Sequence, residues 1–148
     1  MSYSIRDITV SKLKNGEFIK ELPEIYALKE CIENFPPWHF NESVFDHTIL
    51  VLEELVKIVY LKNKKLQGYL NQNPFNHYTR KDLLFLMGIY HDIAKGETLT
   101  TTDGYTTCYG HERQGAIKAE QYIGRFDLLQ EEKEHVLEMI GEHGDFCV

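Results

Sequence analysis

Residues 89–96 read Ile-Tyr-His-Asp-Ile-Ala-Lys-Gly and place a histidine beside an aspartate directly after an apolar run. The run from Leu83 to Tyr90 contains no charged residue, and a segment that is apolar on every face is normally buried. Burying His91 and Asp92 together costs free energy unless a partner compensates for them. A divalent cation is such a partner, and the outward carbonyl groups at the end of a helix would also attract it. This stretch therefore predicts a metal site in a helical domain, with hydrolysis as the expected chemistry.

The length and composition are those of one globular domain. The chain has 148 residues, of which 43% are hydrophobic and 26% charged, and its formal net charge is −7. That charge argues against a broad nucleic-acid surface, but not against a small phosphate ester held by a metal. Cys31, Cys108 and Cys147 form no Cys-x-x-Cys pair, and no apolar run approaches the roughly 18 residues of a membrane span. We expect free thiols and a cytoplasmic protein with no membrane segment.

Helical signals recur along most of the chain. Ser43 lies three residues before Asp46, and Thr79 lies three residues before Asp82, which are start signals of the capping-box type. Each precedes apolar residues at helical spacing, so a long helix is expected after both. The predicted helices cover residues 24–34, 44–61, 79–94, 112–123 and 131–142.

Three segments are predicted to lie outside these helices. Residues 1–22 alternate weakly in hydropathy and carry an Asn-Gly turn signal, which favours an irregular arm or a short strand pair. Residues 62–78 are polar and are predicted to form a loop. Thr-rich segments on either side of Asp103-Gly104 are typical of a short β-hairpin, at about residues 98–108. The predicted division is an N-terminal arm or short strands over residues 1–22 and one domain over residues 23–148.

Four histidines occupy inward or helix-end positions in this arrangement. His47 and His143 lie on the apolar stripes of their helices, and His111 begins a helix with small residues on the same face. Taken singly, His47 also fits a core histidine bonded to a carbonyl, and His111 fits an ordinary histidine at a helix start. Together with His91 and Asp92, however, they form an imidazole and carboxylate set that divalent transition metals accept.

The chemistry that such a set supports is phosphate ester hydrolysis. A metal can convert bound water to hydroxide near neutral pH and can hold a phosphate oxygen as a Lewis acid. Lys95, one turn or less from Asp92, can neutralise a phosphate; the alternative is a cation placed at a helix C-terminus for the dipole. His39 and His77 lie in Pro- or Asn-rich segments and are expected in solvent, although Trp38 and His39 could border a pocket.

In their order along the chain, these residues resemble the HD-domain superfamily of metal-dependent phosphohydrolases. His-Asp-Ile-Ala-Lys-Gly at residues 91–96 is similar to that family's His-Asp-x-Gly/Ala-Lys box. Residues 38–48 and the Tyr-Gly-His-Glu segment at 109–112 resemble more specifically the HD region of bacterial tRNA nucleotidyltransferases and poly(A) polymerases. The similarity runs from about residue 23 to the end.

The resemblance implies an all-α HD-domain bundle of five or more helices around a metal. His47, His91 and Asp92 match the first family ligands, and His111 and His143 match histidines that some members use for a second metal. The alternative for His111 and His143 is that they bind the substrate phosphate. One or two divalent ions are therefore expected, from among Mn, Fe, Ni, Co, Zn and Mg.

The end of the chain departs from the family pattern. The family usually supplies a last Asp ligand from a later helix, whereas only Asp145 follows here. Either Asp145 serves, or the site is incomplete, or the chain is a piece of something longer. The expected function is hydrolysis of a phosphate mono- or diester, with a nucleotide as one candidate and with Asp92 and Lys95 as catalytic residues. One alternative is a non-catalytic HD module that binds RNA or a protein partner. A second is a purely structural helical protein with buried, satisfied histidines.

Overall fold

The computed structural model describes residues 2–59 and 61–146, and helices make up most of that part of the chain. The helices are α1 (Val10–Lys14), α2 (Pro23–Tyr26), α3 (Val44–Val59), α4 (Lys64–Leu70), α5 (Arg80–Tyr90), α6 (Lys95–Thr98), α7 (His111–Ile123) and α8 (Gln130–Glu142). Short 3₁₀ turns occupy Ile5–Asp7, Ala27–Glu30 and His143–Phe146. The strands are β1 (Ile32–Phe35), β2 (His39–Ser43), β3 (Thr100–Thr102) and β4 (Tyr105–Thr107), paired as β1–β2 and β3–β4. The predicted helical bundle with a hairpin inside residues 98–108 is confirmed.

The two capping signals start helices as predicted. The Ser43 hydroxyl accepts a hydrogen bond from the Asp46 amide at 3.0 Å, at the start of α3. At the start of α5, the Thr79 hydroxyl accepts from the Asp82 amide at 3.2 Å, and Asp82 accepts from the Thr79 amide at 3.1 Å. Each bond satisfies an amide that has no partner inside the helix. Because these contacts are local, the sequence alone could predict where both helices begin.

Helix α5 ends earlier than the predicted end near Ala94. It stops at Tyr90, and the next residues turn through i→i+3 bonds, from the Ile93 amide to Tyr90 and from the Lys95 amide to Asp92, both at 3.1 Å. Such bonds wind the backbone more tightly than an α-helix does. His91 and Asp92 therefore occupy a turn, in which adjacent side chains are not held about 100° apart as on a helix.

The predicted helix over residues 24–34 is wrong in its second half. Helix α2 and the 3₁₀ turn after it occupy Pro23 to Glu30, and β1 then pairs antiparallel with β2. The Asn34 amide also donates to the Thr106 hydroxyl at 2.8 Å, which joins the two hairpins. Local helical spacing suggested the helix, but non-local pairing with β2 decides the outcome.

Two other segments also contain helix where none was predicted. In residues 62–78, α4 begins at the Asn63 side chain, which accepts from the Leu66 amide at 3.0 Å, and it buries Leu70. In residues 1–22, a 3₁₀ turn and α1 form instead of a strand pair, and four side chains enter the core, Ile5, Ile8, Leu13 and Leu22. The division of the chain at residue 22 stays a prediction.

The β3–β4 hairpin and the close approach of α7 follow the sequence expectation. Asp103 and Gly104 have φ of 53° and 81°, so both turn residues are left-handed, as a two-residue hairpin turn of this kind requires. On α7, a Cβ added to Gly115 would lie 3.7 Å from the His91 carbonyl oxygen. Gly115 therefore lies beside the turn after α5, at a distance where an added Cβ would make ordinary van der Waals contact. No helix in the described ranges has both the length and the apolar character needed to cross a membrane.

Removing the N-terminal cap of α5 tests how much the capping contact stabilises the fold. Thr79→Ala should lower the free energy of unfolding by about 1 kcal/mol, because the Asp82 amide loses its acceptor. The unfolding midpoint should fall by about 2–4 °C in a calorimetric scan. Thr79→Ser keeps the hydroxyl and should stay near the parent value; equal losses in the two variants would contradict the capping account.

Candidate metal centre

The Asp92 carboxylate lies at the centre of the site, with imidazole rings near both of its oxygens. Asp92 is only 2% exposed. Its Oδ2 lies 3.1 Å from Nε2 of His91 and 3.6 Å from Nε2 of His47. Its Oδ1 lies 3.2 Å from Nε2 of His111 and 3.5 Å from Nε2 of His143. Four histidines that are distant in the sequence thus converge on one buried carboxylate.

Helix ends position three of these rings. His91 directly follows α5, His111 is the first residue of α7, and His143 directly follows α8. His47 comes from the first turns of α3 instead. Because α5 packs against both α3 and α8, and α7 packs against α8, the helical core brings the four positions together.

Backbone carbonyls orient three of the rings by one repeated contact. Nδ1 of His91, His111 and His143 lies 2.7, 2.9 and 2.7 Å from the carbonyl oxygen of the residue three positions earlier. A carbonyl only accepts, so each Nδ1 carries a proton and donates. In the neutral ring the lone pair is then on Nε2, which is the nitrogen that faces Asp92. This is the tautomer in which a histidine can bind a metal through Nε2.

The contacts at the centre call for positive charge. Asp92 Oδ2 is buried, and among the described residues no group approaches it with hydrogen-bond geometry. Nε2 of His111 and Nε2 of His143 lie only 3.1 Å apart, so two lone pairs would face each other if both rings were neutral. The Lys95 ammonium lies 3.3 Å from Oδ2 and pairs with it by charge, but a buried polar atom without a hydrogen bond is still costly. Either additional protons on the rings or a bound cation must fill this role, and the donor set therefore fits a metal.

The ligand atoms form two groups that share Asp92. His47, His91 and Asp92 form the first, and Asp92, His111 and His143 form the second. Within each group the ligand atoms lie within 4.8 Å of one another. Imidazole nitrogen with carboxylate oxygen suits Mn, Fe, Co, Ni and Zn. With one carboxylate oxygen turned towards each group, the arrangement can accommodate one ion or two.

The electrostatics keep Asp92 ionised. Burial raises the pKa of the Asp92 carboxyl, but the charge of His91 and the polar contacts with His111 and His143 lower it more, so that the pKa lies well below its usual range. Burial lowers the pKa of His91 and of His111, yet Asp92 outweighs it and the net pKa of both is raised. At His47 burial prevails, and its pKa is lowered. A cation at the centre would compete with these ring protons, because a histidine ligand must be deprotonated at the ligating nitrogen.

Lys95 is held by a residue that the sequence analysis did not identify. Its Nζ lies 3.0 Å from both carboxylate oxygens of Glu33 and 3.3 Å from Asp92 Oδ2, and it is 6% exposed. Lys95 is the first residue of α6, so it does not act as a cation in the last turn of α5. Two carboxylates around one ammonium leave this part of the site with excess negative charge. Whether Lys95 meets a phosphate stays a prediction.

The β1–β2 hairpin contributes further polar residues that sequence reasoning missed. Nδ1 of His39 lies 2.6 Å from Glu42 Oε1, and the same oxygen is 3.6 Å from Nδ1 of His47. Nε2 of His39 lies 3.5 Å from Glu33, so His39 is not in solvent as expected but is enclosed by carboxylates. No sequence spacing predicts this group, because strand pairing creates it. The one usable signal was the Trp38-His39 pair, which does border a cavity.

The remaining candidate residues either lie away from Asp92 or have side chains outside the described part of the structure. His77 contacts the buried Glu132 carboxylate at 2.7 Å, and His135 packs against Phe75 with ring centroids 5.9 Å apart. Neither approaches Asp92 among the described contacts. The side chain of Asp145, the candidate last ligand, lies outside the described residues.

A cavity of about 710 Å³ is lined by Asp92 and the four converging histidines. A second cavity of about 330 Å³ adjoins it and is lined by residues of both hairpins. Both are lined by Trp38, His39, Lys95, His111 and Glu112. These volumes lie in the range of small-molecule sites. The carboxylate and imidazole cluster is therefore accessible to a ligand of that size.

Comparison with known proteins identifies one family. The sequence profile described as the HD domain matches residues 44–148. No curated protein matches the chain. The matched span contains Asp92, Lys95 and the four converging histidines, but it leaves out Glu33, His39 and Glu42 of the β1–β2 hairpin. The profile does not separate subfamilies, so the closer resemblance to tRNA nucleotidyltransferases stays a prediction.

Elemental analysis tests the centre directly. The purified protein should carry one or two divalent ions per chain, because Asp92 and the inward Nε2 atoms form the donor set. His91→Ala and Asp92→Asn should each remove most of the metal. Free metal at about 100 times its dissociation constant should raise the free energy of unfolding by about 2.7 kcal/mol. The unfolding midpoint should then rise by about 5–10 °C. His135→Ala is the matched control and should keep its metal. A wild-type protein without metal, with a midpoint that no divalent ion shifts, would contradict the assignment.

The buried Lys95–Glu33 pair should matter more than a surface pair. Glu33→Gln should lower the free energy of unfolding by about 2 kcal/mol. This loss is smaller than that expected when an isolated buried ion pair is broken, because Asp92 still pairs with Lys95 in the variant. Denaturant unfolding in chelator isolates this loss from any change in metal affinity. Glu54→Gln, which breaks the exposed 2.9 Å pair with Lys57, should leave the unfolding midpoint unchanged. Similar effects of the two changes would show that burial of the pair contributes nothing.

Proposed function

Because the chain belongs to the HD domain family, we propose that it is a metal-dependent phosphohydrolase that cleaves a phosphate mono- or diester, with nucleotides among the candidate substrates. One observation carries the proposal: a buried, ionised carboxylate is surrounded by four histidine Nε2 atoms at 3.1 to 3.6 Å, next to a cavity of about 710 Å³. We also propose a cytoplasmic location, since Cys31 and Cys108 are free thiols.

The ligand roles follow from which oxygen each ring faces. His47, His91 and Asp92 would hold one divalent ion, and Asp92, His111 and His143 would hold a second where two bind. A divalent cation supplies Lewis-acid chemistry there, polarising a phosphate oxygen and lowering the pKa of water. The backbone carbonyls that accept from Nδ1 of His91, His111 and His143 fix these three rings in the metal-binding tautomer, so they need little reorganisation on binding.

The charge of the cavity makes phosphate binding depend on the cation. Among the described residues that line the two cavities, the carboxylates of Glu33, Asp92 and Glu112 face the single ammonium of Lys95. With the imidazoles neutral, as metal binding requires, a phosphate anion would meet net negative charge in this lining. One or two divalent ions reverse the balance, and the cation therefore provides attraction that the side chains alone lack.

Lys95 adds to this balance through its position. It lies between Glu33 and Asp92, where the two carboxylates raise its pKa although burial lowers it, so its ammonium stays charged. With a cation bound at Asp92, the Lys95 ammonium would be less tightly paired and could donate to a phosphate oxygen at the cavity wall. Its role is charge stabilisation next to the reacting group.

A metal and substrate screen tests the proposal. The stripped protein is reloaded separately with Mn, Fe, Ni, Co, Zn and Mg, and is assayed on phosphomonoesters, cyclic phosphodiesters and nucleotides. Turnover should appear with at least one metal, and Asp92→Asn should lower it by more than about 100-fold, since a ligand matters at least as much as its outer contacts. His135→Ala should retain turnover. No activity with any metal, in protein that binds metal, would favour the non-catalytic module that binds RNA or a protein partner.

A further inference from the structure

Two large aromatic side chains stand in solvent at the mouth of the site. Trp38, in the turn between β1 and β2, is 72% exposed, and Tyr109, just before α7, is 85% exposed. Both line the cavity of about 330 Å³ together with Lys95 and His111. Trp38 also lines the cavity of about 710 Å³ that contains the candidate ligands. The rings thus border the space from which a ligand would reach Asp92.

Trp38 and Tyr109 have no aromatic or cationic partner for their rings among the described residues. The other exposed tyrosines differ: Tyr69 has the Arg80 guanidinium 4.5 Å from its ring centroid, and Tyr105 meets Phe35 edge to face at 6.3 Å. A single exposed aromatic residue needs no explanation. Two exposed rings beside the same pair of adjoining cavities do require one, since both border the smaller cavity and Trp38 also borders the cavity that holds the candidate ligands.

The chemistry of the cavity changes from its floor to its rim. The floor carries Asp92, Lys95 and imidazoles, whereas the rim carries the faces of an indole and a phenol. A ligand that fits this gradient has a phosphate at one end and a planar aromatic ring at the other. Aromatic side chains stack on any nucleobase, because every base has a π-face. The volume suits a small molecule, and the −7 net charge disfavours a polyanionic strand.

We propose that Trp38 and Tyr109 are specificity-determining residues that stack on the base of a nucleoside phosphate while its phosphate faces the metal centre. That the bound nucleoside phosphate is a substrate rests on the proposed function, but stacking of the base needs no catalysis. It concerns residues at the rim, of which Trp38 lies outside the part matched by the family. Stacking contributes binding energy remote from the reacting phosphate, so it should separate nucleotides from phosphate esters that lack a ring.

Trp38 is the only tryptophan in the chain, so its fluorescence reports on stacking without any turnover. The full-length protein is titrated with adenosine, adenosine monophosphate, ribose 5-phosphate and inorganic phosphate, and a tryptophan amide is titrated in parallel to subtract collisional quenching. Adenosine and its monophosphate should quench Trp38 saturably, whereas ribose 5-phosphate and inorganic phosphate should not. Tyr109→Ala should weaken the adenosine affinity about tenfold, Tyr109→Phe should restore it, and Tyr69→Ala should leave it unchanged.

Steady-state kinetics with the metal-loaded protein provide a second test of base stacking. The kcat/KM for adenosine monophosphate should exceed that for ribose 5-phosphate, and Trp38→Ala should remove most of this preference while Trp38→Phe keeps it. Saturable quenching without turnover would support the stacking site and overturn the hydrolase. Quenching no greater than that of the tryptophan amide, or an equal effect of Tyr69→Ala, would overturn the stacking site even in an active hydrolase. Tighter binding of a short single-stranded oligonucleotide than of the mononucleotide would overturn the assignment to a small substrate.

Discussion

The buried Asp92 carboxylate is the constraint on which the site depends. A charged group that is 2% exposed is tolerated only when opposite charge or hydrogen bonds surround it. The chain meets this demand with helix ends, because the last carbonyls of a helix have no partner within it. Gly88 and Ile140 provide such carbonyls in the last turns of α5 and α8, and these hold His91 and His143 with Nε2 towards Asp92. The same unsatisfied backbone groups that end the helices therefore also orient the two imidazoles towards Asp92.

The second layer of the site comes from the β1–β2 hairpin. Glu33 bonds Lys95 at 3.0 Å, and Glu42 lies beside His47, so strands outside the family-matched region contact residues inside it. The hairpin thus does more than close one side of the cavity, since Glu33 balances the charge of Lys95. We expect this wall to vary among relatives more than the central cluster does, because the helices alone position Asp92.

Local signals were readable in the sequence, and long-range pairings were not. The capping pair Thr79 and Asp82 acts within one helical turn, and the left-handed turn at Asp103 and Gly104 depends on two residues, so both were predicted. The inward placement of the histidines followed from helical periodicity, although their roles as ligands stay a prediction. Strand β1 was predicted as helix because its partner lies across a turn and its spacing also fits a helix. Glu33 could not be identified, since a carboxylate that will be buried by strand pairing looks like any solvated one.

The floor and the rim of the cavity impose different conditions on a ligand. Stacking on Trp38 and Tyr109 is an uncharged contact, so on the proposed function it does not depend on whether a cation is bound. Approach of a phosphate to Asp92 would depend on it, because with neutral imidazoles Glu33 and Glu112 leave the lining negative. On this proposal a nucleotide would dock by its base at a centre without metal, whereas its phosphate would gain attraction only at a centre with metal. Base stacking would then determine which ligand is held, and the cation would determine whether its phosphate reaches the reacting position.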